Sequence, residues 1–79
     1  MAKVIIYTTP TCGFCQRAKQ FFNEKNIKYT EYNVAEDQTK AEEMVKMSGQ
    51  MGVPVIEIDD DIVIGFNKAQ IAQLLGIDV

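Results

Sequence analysis

The chain has no histidine, and its cysteines are limited to Cys12 and Cys15. A closed zinc site takes about four ligands, so one built within a single copy would have to recruit carboxylates. No apolar run approaches the roughly 20 residues that span a bilayer, and no contact with membrane is expected. Met1-Ala2-Lys3 leads straight into a strand-like run, leaving no room for a charged, apolar and cleavable leader. Basic residues are scarce as well: eight Lys and Arg stand against eleven Asp and Glu, a net charge of -3. Such a surface attracts neither nucleic acid nor an anionic bilayer. No repeat, low-complexity tract or linker breaks the 79 residues. The expectation is therefore one domain over 1–79, monomeric and cytoplasmic, with a core small enough to leave little surplus stability.

What is present is concentrated in one motif. Cys12-Gly13-Phe14-Cys15 lies between the apolar run Val4-Ile5-Ile6-Tyr7 and a helix-like pattern, which places two thiols where a strand feeds a helix. A structural disulfide is not expected in a reducing compartment, and closing so short a loop adds only about 2 kcal/mol in the chain-entropy model. The pair reads as a dithiol that cycles to a disulfide. The competing reading is a dimer that gathers four thiolates, or that bridges an iron-sulfur cluster through Cys12 and glutathione. Asp59-Asp60-Asp61 lacks the spaced oxygen ligands and following glutamate of a calcium loop and reads as a solvated turn. Met44 is expected in the core, with Met47 and Met51 covering a loop.

The rest of the chain alternates between strand and helix signals. Lys3 to Tyr7 is apolar on successive positions, as in a strand covered on both faces. From Gly13 to about Lys25, Cys15, Ala18, Phe21 and Phe22 form one helical stripe, and Asn26 is a left-handed stop. A second strand is expected over Lys28 to Val34. Asp37 then caps a helix running to about Met47, with Ala41, Met44 and Val45 inward and Ser48-Gly49 at its end. Val55 to Ile58 and Ile62 to Ile64 make a hairpin across the three aspartates. Asn67 and Gln70 resemble a capping box for a last helix carrying Ile71, Leu74 and Leu75 and closed by Gly76. The order β-α-β-α-β-β-α defines an α/β fold: a four-stranded mixed sheet flanked by three helices, on both faces.

Three segments at this spacing resemble the glutaredoxin family of the thioredoxin superfamily: Tyr7 through Cys15, Ser48 through Pro54, and Ile64-Gly65-Phe66 before the last helix. The resemblance covers essentially the whole length and implies a thioredoxin fold and thiol-disulfide oxidoreductase activity. It implies that Pro54 is cis beside the dithiol and that the Val53 backbone pairs with bound peptide or glutathione. The substrate-binding residues it suggests are Thr9, Pro10, Thr11, Gly13, Phe14, Gly52, Val53, Pro54, Gly65, Phe66 and Asn67. No bound cofactor or metal is expected; glutathione enters as co-substrate, and disulfide-containing proteins as partners.

Position assigns the roles of the thiols. Cys12 at the helix start faces unpaired N–H groups and the positive dipole end, which favour a thiolate, whereas Cys15 lies one turn inside. Cys12 is thus the expected nucleophile and Cys15 the resolving thiol. A stabilised thiolate gains little in attack, because nucleophilicity falls with basicity at a slope of about 0.4 to 0.5, but it leaves readily. Two departures bear on the electron donor. Thr9 stands where many glutaredoxins carry a lysine, and Gly65-Phe66-Asn67-Lys68 where many have Gly-Gly and then Asp. In both places the chain is similar to the small glutaredoxin-like redoxins that take electrons from thioredoxin reductase, so glutathione and that reductase are both candidate donors. Monothiol family members that carry clusters have serine where Cys15 stands.

Overall fold

Five consecutive buried residues make Val4–Thr8 (β1) the strand around which the others assemble. The computed structural model describes residues 3–77. β1 pairs in parallel with Thr30–Asn33 (β2), Ile5 opposite Thr30 and Thr8 opposite Asn33. It pairs antiparallel with Val55–Ile58 (β3), Tyr7 opposite Val55, and β3 pairs antiparallel with Asp61–Ile64 (β4). The sheet order is β2-β1-β3-β4, with β1 and β3 central. A strand flanked on both edges and covered on both faces has no position for an alternating polar residue, which is why β1 is a continuous apolar run.

Alternation of side chains along the strands sorts the core into two halves. On one face Val4, Ile6, Ile56, Ile58 and Val63 pack with Ala18, Phe21 and Phe22 of Gly13–Glu24 (α1) and Ile71 of Lys68–Leu75 (α3). On the other, Ile5, Tyr7 and Val55 pack with Met44 of Gln38–Ser48 (α2). The helix boundaries follow the local signals. Asp37 Oδ1 accepts the Lys40 N–H at 3.1 Å and Asn67 Oδ1 accepts the Gln70 N–H at 3.2 Å. Such caps satisfy N–H groups that have no partner within the helix, and each contributes about 1 kcal/mol. The β-α-β-α-β-β-α order and the four-stranded mixed sheet expected from the sequence are observed. Among the described residues, no helix is long and apolar enough to cross a membrane.

Several local expectations are corrected by pairing between elements. β1 begins at Val4 and extends through Thr8, because the Thr8 carbonyl accepts the Val34 N–H at 2.9 Å and carries the ladder past the apolar run. β2 is four residues long and not seven; its pattern outruns the length of β1 available to pair with it. Asp61 belongs to β4 opposite Ile58, so the turn is Asp59-Asp60. The Asp59 carboxylate is held by the Lys3 N–H at 2.9 Å. The capping box is one-sided, since the Gln70 side chain meets Asn67 Nδ2 at 3.4 Å. Met51 is 81% exposed and covers little, whereas Met44 is buried as expected.

The largest fully buried side chain, Phe22, lies between Phe21 at 5.9 Å and Tyr29 at 5.4 Å, ring centre to ring centre. Phe22→Ala is expected to lower unfolding free energy by about 3–5 kcal/mol. Urea unfolding followed by far-UV circular dichroism measures this, and a loss below about 1 kcal/mol would contradict a single shared core on that face.

Candidate active site

Where β1 ends, the chain turns through Pro10 and Thr11, and the Cys12 N–H donates to the Thr9 carbonyl at 3.3 Å. That bond leaves Cys12 extended, with φ -88° and ψ 113°, at the N-cap of α1. Its sulfur does the work a serine or aspartate oxygen does at other caps, accepting the Cys15 N–H at 3.2 Å. On another side the Val53 carbonyl lies 3.7 Å from the same sulfur, within reach of a thiol proton. Cys12 thus has a donor for the thiolate and an acceptor for the thiol.

Cys15, on the inward face of α1, is 0% exposed. Burial pushes its thiol up to about 12, and the hydrogen bond with the Cys12 thiol adds to this, as does repulsion from a charged Cys12. The Thr9 backbone N–H and the Lys19 ammonium act in the opposite direction. Cys15 therefore keeps its proton at neutral pH while Cys12 is free. Once Cys12 is tied up in a mixed disulfide, its contributions disappear and Cys15 becomes easier to ionise.

The loop opposite the dithiol is organised by its own polar groups. The Ser48 hydroxyl donates to the Met44 carbonyl at 2.7 Å and accepts the Gln50 N–H at 3.3 Å. The Gln50 amide reaches the Gly52 carbonyl at 3.3 Å. The Val53-Pro54 peptide is cis, and Pro54 is fully buried. The Gly65 N–H donates to the Pro54 carbonyl at 2.8 Å, with Gly65 at φ +79°, a region that favours glycine. This bond joins the second and third sequence motifs.

The structure brings Cys12, Cys15, Thr9 and Val53 together and ties Pro54 to Gly65. Pro10, Thr11, Gly13 and Gly52 are exposed around them. The side chains of the remaining expected binding residues have contacts of their own. Phe66 packs into the α1/α3 face, its ring 6.0 Å from Phe21, while Val53 packs against the α2 face. Phe14 is 59% exposed, with the Arg17 guanidinium 5.5 Å from its ring centre. Asn67 is occupied in capping α3.

Sequence reasoning passed over a polar contact behind the dithiol. Thr8 is 2% exposed, and its hydroxyl donates to Glu31 Oε2 at 2.7 Å. The same oxygen receives Lys19 Nζ at 2.9 Å. These two bonds hold the Glu31 carboxyl below the usual carboxylate range, Lys19 contributing more than Thr8. The one signal in the sequence was a hydroxyl at the end of an otherwise apolar strand.

Two thiols of unequal burial at a helix start, on a thioredoxin fold, define a class of protein, the thiol-disulfide oxidoreductases. Residues 4–63 match the glutaredoxin family model, and this chain belongs to the glutaredoxin family. An uncharacterized glutaredoxin-like 8.6 kDa protein in the rubredoxin operon of Clostridium pasteurianum is 50% identical over 70 residues, 89% of this chain and 93% of that one. Glutaredoxin 3 of Escherichia coli K12 is 44% identical over 59 residues, 75% and 71% of the two chains. Among solved structures, the glutaredoxin of Archaeoglobus fulgidus superposes with a TM-score of 0.84 at 26% identity, covering 95% of this chain and 87% of that one. The glutaredoxin-like NrdH-redoxin of Escherichia coli, described as having a thioredoxin-like activity profile, gives 0.82 at 25% identity and covers 91% and 93%.

The unequal thiols predict selective alkylation. At pH 8, limiting iodoacetamide is expected to label Cys12 and leave Cys15 unmodified, because burial and a raised ionisation point both protect Cys15. Peptide mass spectrometry reads the ratio, and equal labelling of the folded protein would contradict it.

Proposed function

We propose that the protein reduces disulfides in proteins, and mixed disulfides with glutathione, through a Cys12/Cys15 redox pair. The observation that carries this reading is the asymmetry of the pair: a half-buried sulfur at the N-cap beside a fully buried one within the same turn. The Cys12 thiolate attacks a substrate disulfide, forming a mixed disulfide and releasing one substrate thiolate, which takes up a proton. Cys15 then loses its proton and attacks Cys12 Sγ, forming the Cys12–Cys15 disulfide and releasing the second substrate thiol. Two electrons pass from the protein to the substrate. Substrate-contacting roles are assigned to Thr9, Pro10, Thr11, Gly13, Phe14, Gly52, Val53 and Pro54. Gly65 supports that loop through its N–H on the Pro54 carbonyl, and Phe66 and Asn67, which follow it, are assigned to the edge of the same substrate site.

The working compartment is the cytoplasm, where a reducing pool keeps such a dithiol cycling. Glutathione is the family's co-substrate. For this chain a thioredoxin reductase is the donor the residues favour. Thr9 brings no ammonium to pair a glutathione carboxylate, and Asn67 is a neutral group committed to a helix cap. The thioredoxin-like profile described for the NrdH-redoxin neighbour supports the same choice.

Cys15→Ser is expected to accumulate mixed disulfides through Cys12 and to lose protein-disulfide reduction. Unchanged turnover of a protein disulfide by that variant would remove the two-thiol mechanism. For the donor, reduction of a small mixed disulfide is compared with NADPH, glutathione and glutathione reductase against NADPH and thioredoxin reductase alone. Turnover in the second mixture is the expected result, and turnover confined to the first would make this a glutathione-dependent enzyme.

A further inference from the structure

The Thr8–Glu31–Lys19 contact lies outside every residue assigned above, yet Thr8 and Lys19 sit close in sequence to the dithiol. Lys19 follows Cys15 by four residues on α1, so the two side chains lie one turn apart on the same helix face. Thr8 directly precedes Thr9, whose carbonyl receives the Cys12 N–H at 3.3 Å and whose backbone favours ionisation of Cys15. Glu31, on the neighbouring strand β2, holds both with a single carboxylate oxygen, Thr8 at 2.7 Å and Lys19 at 2.9 Å. We propose that Glu31 is a positioning residue for the resolving step: by clamping Thr8 and Lys19 to one oxygen, it keeps the Thr9 N–H and the Lys19 ammonium beside the Cys15 sulfur. The inference rests on Cys15 being the resolving thiol.

Stability alone does not account for the arrangement. The Lys19 and Glu31 side chains are 21% and 37% exposed, and ion pairs that open to water are worth about 0–1 kcal/mol. At Cys15, however, the balance is set by few groups. Cys12 opposes ionisation, and the Thr9 N–H and Lys19 favour it, in surroundings otherwise made apolar by burial. Lys19 without its anchor is a long flexible chain whose ammonium moves out into water, where its effect on the sulfur is screened. Charge and position make opposite predictions for Glu31. As a nearby negative charge it would hinder formation of the Cys15 thiolate, so its neutralisation would speed resolution. As the anchor of Lys19 and Thr8 it assists, and neutralisation slows resolution.

A symmetrical aromatic disulfide that releases a coloured aryl thiolate, 5,5'-dithiobis(2-nitrobenzoate), separates the steps in stopped flow. In the first phase the Cys12 thiolate takes one aryl group and releases one aryl thiolate. In the second, Cys15 loses a proton to solvent and attacks Cys12 Sγ, forming the Cys12–Cys15 disulfide and releasing the other aryl thiolate. In Glu31→Gln the second-phase rate at fixed pH is expected to fall about threefold to tenfold, and its pH profile to move up by about half to one unit. Lys19→Arg, which keeps both the charge and the bridge, is expected to stay within about twofold of the unsubstituted chain. The first phase, in which Cys15 takes no part, is the internal reference, and near-UV circular dichroism reports the fold. A Glu31→Gln profile that is unchanged, or that moves to lower pH, overturns the positioning role while leaving the redox pair intact. Absence of any second phase in the unsubstituted protein removes the redox pair, and the proposal with it.

Discussion

The hydrogen bond from the Cys15 N–H to the Cys12 sulfur, 3.2 Å long, is the contact on which the rest of the site depends. A helix that begins immediately after a buried central strand exposes N–H groups with no partner in the preceding turn. Here the reactive atom itself satisfies one of them. The requirement runs back through the chain. Thr9 must accept the Cys12 N–H, and β1 must end at Thr8. α1 must bury Ala18, Phe21 and Phe22 so that its first turn is fixed against the sheet.

The opposite wall is anchored differently. Residues 49–54 contain no regular element, so their backbone groups are met by the Ser48 hydroxyl and the Gln50 amide, and the Pro54 carbonyl by Gly65. Because β3 is central and begins at Val55, directly after Pro54, this loop is registered against Cys12 by the same sheet that supports α1. The Val53 carbonyl consequently meets the sulfur at 3.7 Å without any contact between the two segments in sequence. In a chain this short there is little surplus stability, and binding the site to the central strands ties its geometry to global folding.

In the proposed two-thiol cycle, function follows from inequality between two identical side chains. Cys12 would take the partner, being partly open with a donor and an acceptor at its sulfur, and Cys15 would wait, because burial holds its proton. The wait ends when Cys12 becomes a neutral disulfide sulfur, since two of the influences that hold the Cys15 proton belong to Cys12 itself. A sequence of steps is thereby built into the electrostatics of one helical turn, with no moving part required.

Much of this was legible in the chain. The apolar run of β1, the stripe of α1, the caps Asp37 and Asn67 and the stops at Gly49 and Gly76 are signals of a few residues each, and all of them hold in the structure. Phe66 was harder. One aromatic residue after a glycine carries no direction, and only packing against Phe21 turns it inward. Nothing in the sequence marks Glu31, because nothing in it says that β2 lies beside β1 in a register that brings its carboxylate to Thr8 and Lys19. The sequence by itself determined the order of elements and the placement of two thiols at a helix start, since periodicity, caps and stops act over one or two turns. Tertiary structure alone decided which polar groups join β1, β2 and α1 and which aromatics face solvent, because both depend on strand neighbours and register.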